Sequence, residues 1–168
     1  MREILFRGFH KNENGKQKVF VNGEWIRGEW VEGNYIYLHK TTYCFEGDTE
    51  HDKENEIHQI VFEQMTDWDL PNKHLKVDVI PETVGQYTGL TDKNGMKIFE
   101  GDICRKFKSG DCVSVAWHGT MAGYVWSKRK ENNRYIFDFG DLFRVSDKYE
   151  VIGNIHDNPE LLDGAGNG

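Results

Sequence analysis

Glu100 and Asp102 are the two side chains in this sequence whose type and spacing could support acid–base chemistry. Carboxylates at positions i and i+2 lie on one face of a regular strand, and paired carboxylates can exchange protons with a substrate. Gly101 stands between them, however, and a bulge at this glycine would separate the two groups. Their alternative role is to accept hydrogen bonds from the backbone of a turn near Asn94–Gly95. Because no third group completes a reactive arrangement, we predict no catalytic residue.

The cysteines and histidines do not occur at the spacings of a metal site. Seven residues separate Cys104 from Cys112, and four separate His39 from Cys44, whereas structural zinc sites use closely spaced cysteine pairs. The motifs of serine hydrolases, zinc metallopeptidases and phosphate-binding loops are also missing from the sequence. We therefore predict neither a metal nor another cofactor, and we expect Cys104 and Cys112 to be small buried residues on neighbouring strands.

A basic segment with aromatic neighbours could bind nucleic acid, because lysine and arginine contact phosphates and aromatic rings stack on bases. Its charges are followed by two asparagines, however, which is also typical of a solvated hairpin tip. Together with a tyrosine from the glycine-rich central stretch, the segment supplies the candidate binding residues, which are Tyr87, Trp126, Lys128, Arg129, Lys130 and Arg134.

Length and composition are those of a globular protein. The chain has 168 residues, a net charge of −7 and apolar runs of only a few residues. This length can bury a core without metal or disulfide support. The acidic balance disfavours a protein whose whole surface attracts nucleic acid, although a local basic patch remains compatible with it. Short apolar runs predict no membrane span and no signal peptide, and three cysteines do not indicate a disulfide framework. We therefore expect a cytoplasmic protein.

Turn signals alternate with short apolar runs, and this alternation predicts a mainly β protein. Asn94–Gly95 and Asn22–Gly23 are each typical of a two-residue type I′ hairpin, and Glu32–Asn34 indicates a third hairpin. Asn158 followed by Pro159 predicts a helical turn that carries two leucines back onto the sheet.

Two further segments depart from the alternation. Glu46–Glu56 alternates acidic with polar residues, cannot bury a core, and is predicted to be a loop or a mobile insertion. The spacing of apolar residues from Ile57 to Met65 favours a short helix, which we predict, although Ile60–Phe62 also fits a strand.

About five short strands between Val77 and Ile155, with turn signals about every ten residues, predict a small SH3-like barrel. The N-terminal meander is expected to complete that barrel or to form a second sheet packed on it. The predicted organisation is a β-meander with the acidic insertion at 1–76, the barrel at 77–162 and a mobile tail at 163–168.

Three stretches of the sequence carry a recognisable pattern. The central one is Val84–Gly95 followed by Ile98–Ile103, and the flanking ones are Met1–Gly8 and Tyr149–Leu162. Together they resemble the YopX family of phage and prophage proteins, whereas Glu46–His74 matches no motif of that family. The resemblance implies a small, mostly β protein encoded by bacterial mobile elements, and it implies no established activity.

Two functions are therefore expected. The first is a non-enzymatic accessory protein that binds a protein partner, or associates with itself, through a sheet edge or an aromatic rim. The high aromatic content of the sequence, its acidic net charge and its lack of a catalytic motif favour this function. The second is a nucleic-acid-binding module that uses the basic hairpin Lys128–Arg134. A small-molecule enzyme built on Glu100 and Asp102 would instead need a pocket lined by both carboxylates with raised pKa values.

Overall fold

A computed structural model describes residues 3–39, 56–66, 68, 70–107, 109–130, 134–138 and 148–162. These residues form two short 3₁₀ helices, Pro81–Thr83 and Pro159–Leu162, and twelve strands. The strands are β1 (Phe6–Lys11), β2 (Gln17–Val21), β3 (Glu24–His39), β4 (Glu56–Gln64), β5 (Lys73–Asp78), β6 (Gly85–Thr91), β7 (Lys97–Phe99), β8 (Asp102–Lys106), β9 (Cys112–His118), β10 (Gly123–Lys130), β11 (Arg134–Asp138) and β12 (Tyr149–Asn154).

The strands form two antiparallel sheets, which confirms the mainly β prediction. The first sheet has the order β5-β4-β3-β1-β6-β7, with β2 paired to the beginning of β3, and the second has the order β11-β10-β9-β8-β12. Neither sheet closes into a barrel within the described strands, so the SH3-like barrel is not confirmed. The first sheet includes β6 and β7, and the predicted domain division at residues 76 and 77 stays a prediction.

The hairpin predicted at Glu32–Asn34 is wrong, because β3 runs straight through it. Gly33 pairs with Phe6 of β1, and Asn34 pairs with Val61 of β4. A Cβ atom at Gly33 would overlap the backbone oxygen of Val61. The glycine therefore permits a close approach between strands and does not mark a turn.

The two asparagine–glycine hairpins are present, but only one has the predicted turn. Asn22 and Gly23 both have positive φ, 52° and 90°, as a type I′ turn requires. Gly95 has a φ of 81°, whereas Asn94 does not have a positive φ, and the Gly95 N–H donates to the carbonyl of Asp92 at 3.0 Å. The second loop is thus a type I turn followed by a glycine bulge.

The helix predicted from Ile57 to Met65 is also wrong, because this segment contains β4. The strand pairs with β3 on one side and with β5 on the other, and Ile60 at its centre is fully buried. Tertiary pairing decides between helix and strand for a run too short for its periodicity to do so. Apart from Glu56, the predicted acidic insertion lies outside the described residues, as does the predicted mobile tail 163–168.

Two apolar clusters form the core of the described part of the chain. The larger one contains Trp126 and five further buried residues, and the smaller one is centred on Phe9.

Cys104 is fully buried, and burial raises the pKa of its thiol. Cys112 lies on the neighbouring strand β9, so the predicted placement of the two cysteines on adjacent strands is confirmed, although Cys112 is only partly buried. No helix in the described part of the chain has the length and apolar character needed to cross a membrane.

Candidate functional site

The chain passes from the first sheet to the second at Glu100–Gly101. β7 ends just before this turn, and β8 begins just after it. Gly101 has a φ of 82°, which glycine adopts without the strain that a side chain would cause. Its N–H donates to the carbonyl of Val115 at 2.8 Å, and its carbonyl accepts from the N–H of Ile155 at 2.9 Å. The bend expected at Gly101 is therefore a turn between two strands.

Asp102 lies in the interior beside this turn. One carboxylate oxygen, Oδ2, accepts a hydrogen bond from the Phe99 N–H at 2.7 Å, and the other lies 2.6 Å from Nη2 of Arg7. Burial raises the pKa of Asp102, while the charge of Arg7 opposes that shift. The residue is 1% exposed. A buried, paired carboxylate of this kind is closed to a substrate, and its role is structural.

The guanidinium group of Arg7 is held by two aromatic rings as well as by Asp102. Its Cζ atom lies 4.9 Å from the centre of the Trp30 ring and 4.8 Å from that of Phe99. Arginine is well suited to such a position, because its planar cation stacks on rings and loses its hydration more easily than lysine does.

Glu100, unlike Asp102, lines a cleft beside β9 and β10 of the second sheet. Its Oε1 atom accepts a hydrogen bond from the Trp117 N–H at 3.2 Å. Burial raises the pKa of Glu100, although hydrogen bonds from the backbone of Trp117 and Gln86 oppose the shift. Because Asp102 does not line this cleft, the described residues do not form the pocket with both carboxylates that an acid–base enzyme would need.

The cleft has a volume of about 540 Å³, which is within the usual range for ligand pockets. Its residues come from the first 3₁₀ helix, the turn at Gly101, β9, β10 and the C-terminal segment that follows β12. The predicted helical turn at Pro159 is present as the second 3₁₀ helix, which contacts β9. The apolar lining residues are Val84, Val115, Ala116, Trp117, Ile155, Pro159 and Leu162.

The titratable groups of the cleft are two carboxyl groups and one histidine. They are Glu82, Glu100 and His156, and no lysine or arginine belongs to the described lining. Burial lowers the pKa of His156 and the charge of Arg7 lowers it further, so its imidazole is neutral at pH 7. The cleft is therefore a largely apolar surface that carries two carboxyl groups.

A hydrogen-bonded turn after β12 holds the C-terminal part of the cleft in place. The Asn154 side-chain oxygen accepts from the N–H groups of His156 and Asp157, each at 2.9 Å. The Asp157 carboxylate accepts from the indole N–H of Trp30 at 3.0 Å, and the Phe20 N–H donates to the His156 carbonyl at 2.8 Å. These bonds tie the turn to the first sheet.

The structure places the two aromatic candidate binding residues in the core. Tyr87 is 8% exposed and Trp126 is 1% exposed. The Trp126 ring stacks on Tyr149 with 4.3 Å between ring centres. In this conformation neither ring presents a face on which a base could stack.

The basic candidates lie on the β10–β11 hairpin. Lys128 forms an ion pair with Asp111 at 3.0 Å. The backbone register places Lys130 opposite Arg134 and Arg129 opposite Tyr135, but these four side chains lie outside the described residues. Within the described part of the chain, no group of three or more His, Cys, Asp or Glu residues is placed to hold a metal ion.

Sequence reasoning did not find the cleft or the role of Arg7. Trp117 stands at the end of an apolar run and Ile155 stands between Asn154 and His156, and no local motif distinguishes either from a core residue. Only the pairing of the strands brings them together with Glu100. For Glu100 a signal did exist, because its carboxylate adjoins a glycine inside an apolar run.

Comparisons with known proteins identify a similar structure and a family. The chain is similar to the solved crystal structure of protein EF1440 from Enterococcus faecalis, with 22% identity, 96% of this chain and 99% of that chain covered, and a TM-score of 0.39. No curated protein matches the chain. The family model described as YopX protein matches residues 25–163, which is most of the sequence and agrees with the resemblance of its motifs. This chain belongs to the YopX family.

Proposed function

We propose that this protein is a non-enzymatic protein-interaction module and that its partner binds in the cleft lined by Glu100, Trp117 and Ile155. One observation carries the proposal: Trp117 and Ile155, which line the cleft, are 49% and 37% exposed. Large apolar side chains that remain partly exposed around a concave surface are typical of binding sites, and tryptophan is frequent among residues that dominate binding energy.

The polar groups of the cleft support binding and do not support catalysis. The Ser114 hydroxyl donates to the backbone carbonyl of Ser127 at 3.3 Å, so it is not directed towards a base. The Thr83 hydroxyl likewise donates to the Ile80 carbonyl at 2.7 Å, whereas an activated nucleophile would donate to its base.

The proposed setting follows from the family resemblance. The protein is an accessory protein of a phage or prophage and acts in the bacterial cytoplasm on a host or phage protein. The names of the family and of protein EF1440 state no activity.

Photo-cross-linking in bacterial cells tests the proposal. A photoreactive phenylalanine analogue replaces Trp117 in one variant and Phe107 in a matched control, because Phe107 is 72% exposed and does not line the cleft. We expect a discrete adduct with a second protein from position 117 and none from position 107. Adducts of equal yield from both positions, or none from position 117, would contradict the proposal.

A second candidate function is nucleic-acid binding by the β10–β11 hairpin. The observation that favours it is the strand register, in which Lys130 of β10 pairs with Arg134 of β11. Binding through phosphates weakens steeply with salt. Fluorescence anisotropy with single- and double-stranded oligonucleotides at about 50 mM and 200 mM salt measures it. Salt-sensitive binding that is lost on changing Lys128, Arg129 and Lys130 to alanine would support this function, and no binding at low salt would exclude it.

A further inference from the structure

We infer that the cleft binds an apolar segment of the partner protein that carries a lysine or arginine, and that this cationic group pairs with Glu100. The inference rests on the proposed function and adds the chemistry of the bound segment. The cleft has apolar walls and two carboxyl groups, and its described lining contains no lysine or arginine. This combination is the basis of the inference.

Glu100 is the acceptor that such a cation would meet. The side chain is partly buried, and the backbone N–H of Trp117 donates to it. An ionised carboxylate can accept about four hydrogen bonds, so this donor leaves capacity for others. Among the ion pairs of the described residues, Glu100 has no cationic partner; Arg7 contacts only its backbone oxygen, at 3.5 Å. A basic group placed beside a partly desolvated carboxylate favours its ionised form and pairs with it.

Glu82 contributes the second charge from a different element. It lies in the first 3₁₀ helix, and its carboxylate accepts from the side-chain amide of Asn22 at 3.2 Å. The amide fixes the position of this carboxylate but does not neutralise its charge. The net charge of −7 on the whole chain also favours the approach of a basic segment over an acidic one.

The apolar walls distinguish a peptide segment from a free polyamine. A polyamine would use the two carboxylates, but it would leave Trp117, Ile155 and Leu162 without matching apolar groups. A segment with leucine-like residues beside its lysine or arginine would pack against the apolar walls and pair with Glu100 at the same time.

Selection of binders from a random heptapeptide library on the purified protein tests the inference. We expect enriched peptides that combine a lysine or arginine with large apolar residues. Synthetic versions should lose about tenfold or more in affinity for the Glu100→Gln variant and for the Trp117→Ala variant. The Glu100→Gln variant keeps a side-chain oxygen that can accept from the Trp117 N–H, and amide NMR spectra check that both variants are folded.

Two controls separate the possible outcomes. Glu63→Gln removes the same charge from β4, outside the cleft, and should leave affinity unchanged. Spermidine, titrated against the same protein, should bind more weakly than the selected peptides. The inference is overturned by enriched peptides without a basic residue, by equal affinity for Glu100→Gln, by tighter binding of spermidine, or by no enriched binder. A partner protein can cross-link at position 117 and yet bind the Glu100→Gln variant as tightly as the native chain. That result would support the proposed function and would contradict only the inference that the bound segment is basic.

Discussion

Arg7 and Asp102 form an ion pair of 2.6 Å that joins the first strand of one sheet to the first strand of the other. The two side chains are 14% and 2% exposed, so the pair is buried. Arg7 also contacts the ring of Trp30, and the indole N–H of Trp30 donates to Asp157 in the C-terminal turn. The three stretches that resemble the YopX family therefore meet at one structural junction.

Removing one partner of the buried pair should destabilise the protein strongly. Arg7→Ala leaves the Asp102 carboxylate buried without its counter-charge, and the expected loss is about 3–5 kcal/mol in the free energy of unfolding. Urea denaturation of the native and variant proteins measures it. The double variant Arg7→Met with Asp102→Asn is expected to be more stable than Arg7→Ala, because no uncompensated charge remains. A loss below about 1 kcal/mol for Arg7→Ala would show that the pair is solvated and replaceable.

Asp92 should stabilise the β6–β7 hairpin through its carboxylate. Its oxygens accept from the N–H groups of Asn94, Met96 and Val151 at 2.8, 2.9 and 3.0 Å. Asp92→Ala leaves these donors without that partner, and we expect a loss of about 1–3 kcal/mol in the free energy of unfolding.

The contribution of Asp92 should also depend on pH. Although burial acts to raise the pKa of Asp92, the backbone hydrogen bonds outweigh it and lower the pKa below its usual value. A lowered folded-state pKa means that the stabilisation is present above the unfolded-state pKa and is lost as pH falls through the folded-state value. The difference between the native protein and Asp92→Ala should therefore shrink only in strong acid. A difference that is already lost near pH 5 would contradict this assignment.

Ionisation of Glu100 should destabilise the folded protein, whereas ionisation of Asp92 stabilises it. Burial raises the pKa of Glu100 in the folded state, so folding is favoured by protonation of this group, and that contribution is lost as pH rises through the folded-state pKa. We expect Glu100→Gln to raise the melting temperature at pH 7 and to change it little near pH 4. Thermal unfolding at both pH values tests this, with Glu63→Gln as the exposed control. A lower melting temperature at pH 7 would mean that the native carboxylate is already paired with a cation.

Local signals in the sequence predicted strands and turns where neighbouring residues decide the structure. Asn22–Gly23 forms the expected type I′ turn, because positive φ at both positions is a local property. At Asn94–Gly95 the hairpin is in the expected place, but hydrogen bonds from the backbone to Asp92 accompany another turn type. The predicted bonding of Glu100 and Asp102 to turn backbone near Asn94–Gly95 is wrong. Asp102 accepts from the Phe99 N–H at the end of β7, and Glu100 accepts from the Trp117 N–H of β9. The N–H groups of Asn94 and Met96 donate to Asp92 instead.

Long-range pairing decides the features that local signals missed. The helix predicted from Ile57 to Met65 is wrong because β4 is paired on both edges. The cleft was not predicted because Glu82, Glu100, Trp117 and Ile155 come from four separate parts of the chain. Their proximity depends on how the two sheets pack, which no spacing in the sequence encodes.

The most direct test of binding in the cleft uses the partner protein that cross-linking identifies. Its affinity is measured for three forms of this chain. Isothermal titration calorimetry would compare the native protein, Trp117→Ala and Phe107→Ala. Since Trp117 also packs edge-on against Tyr124, with ring centres 5.1 Å apart, the melting temperature of each variant is measured alongside. We predict that Trp117→Ala weakens binding by about tenfold or more, whereas Phe107→Ala changes it by less than about threefold. Equal affinity for all three folded proteins would contradict binding in the cleft.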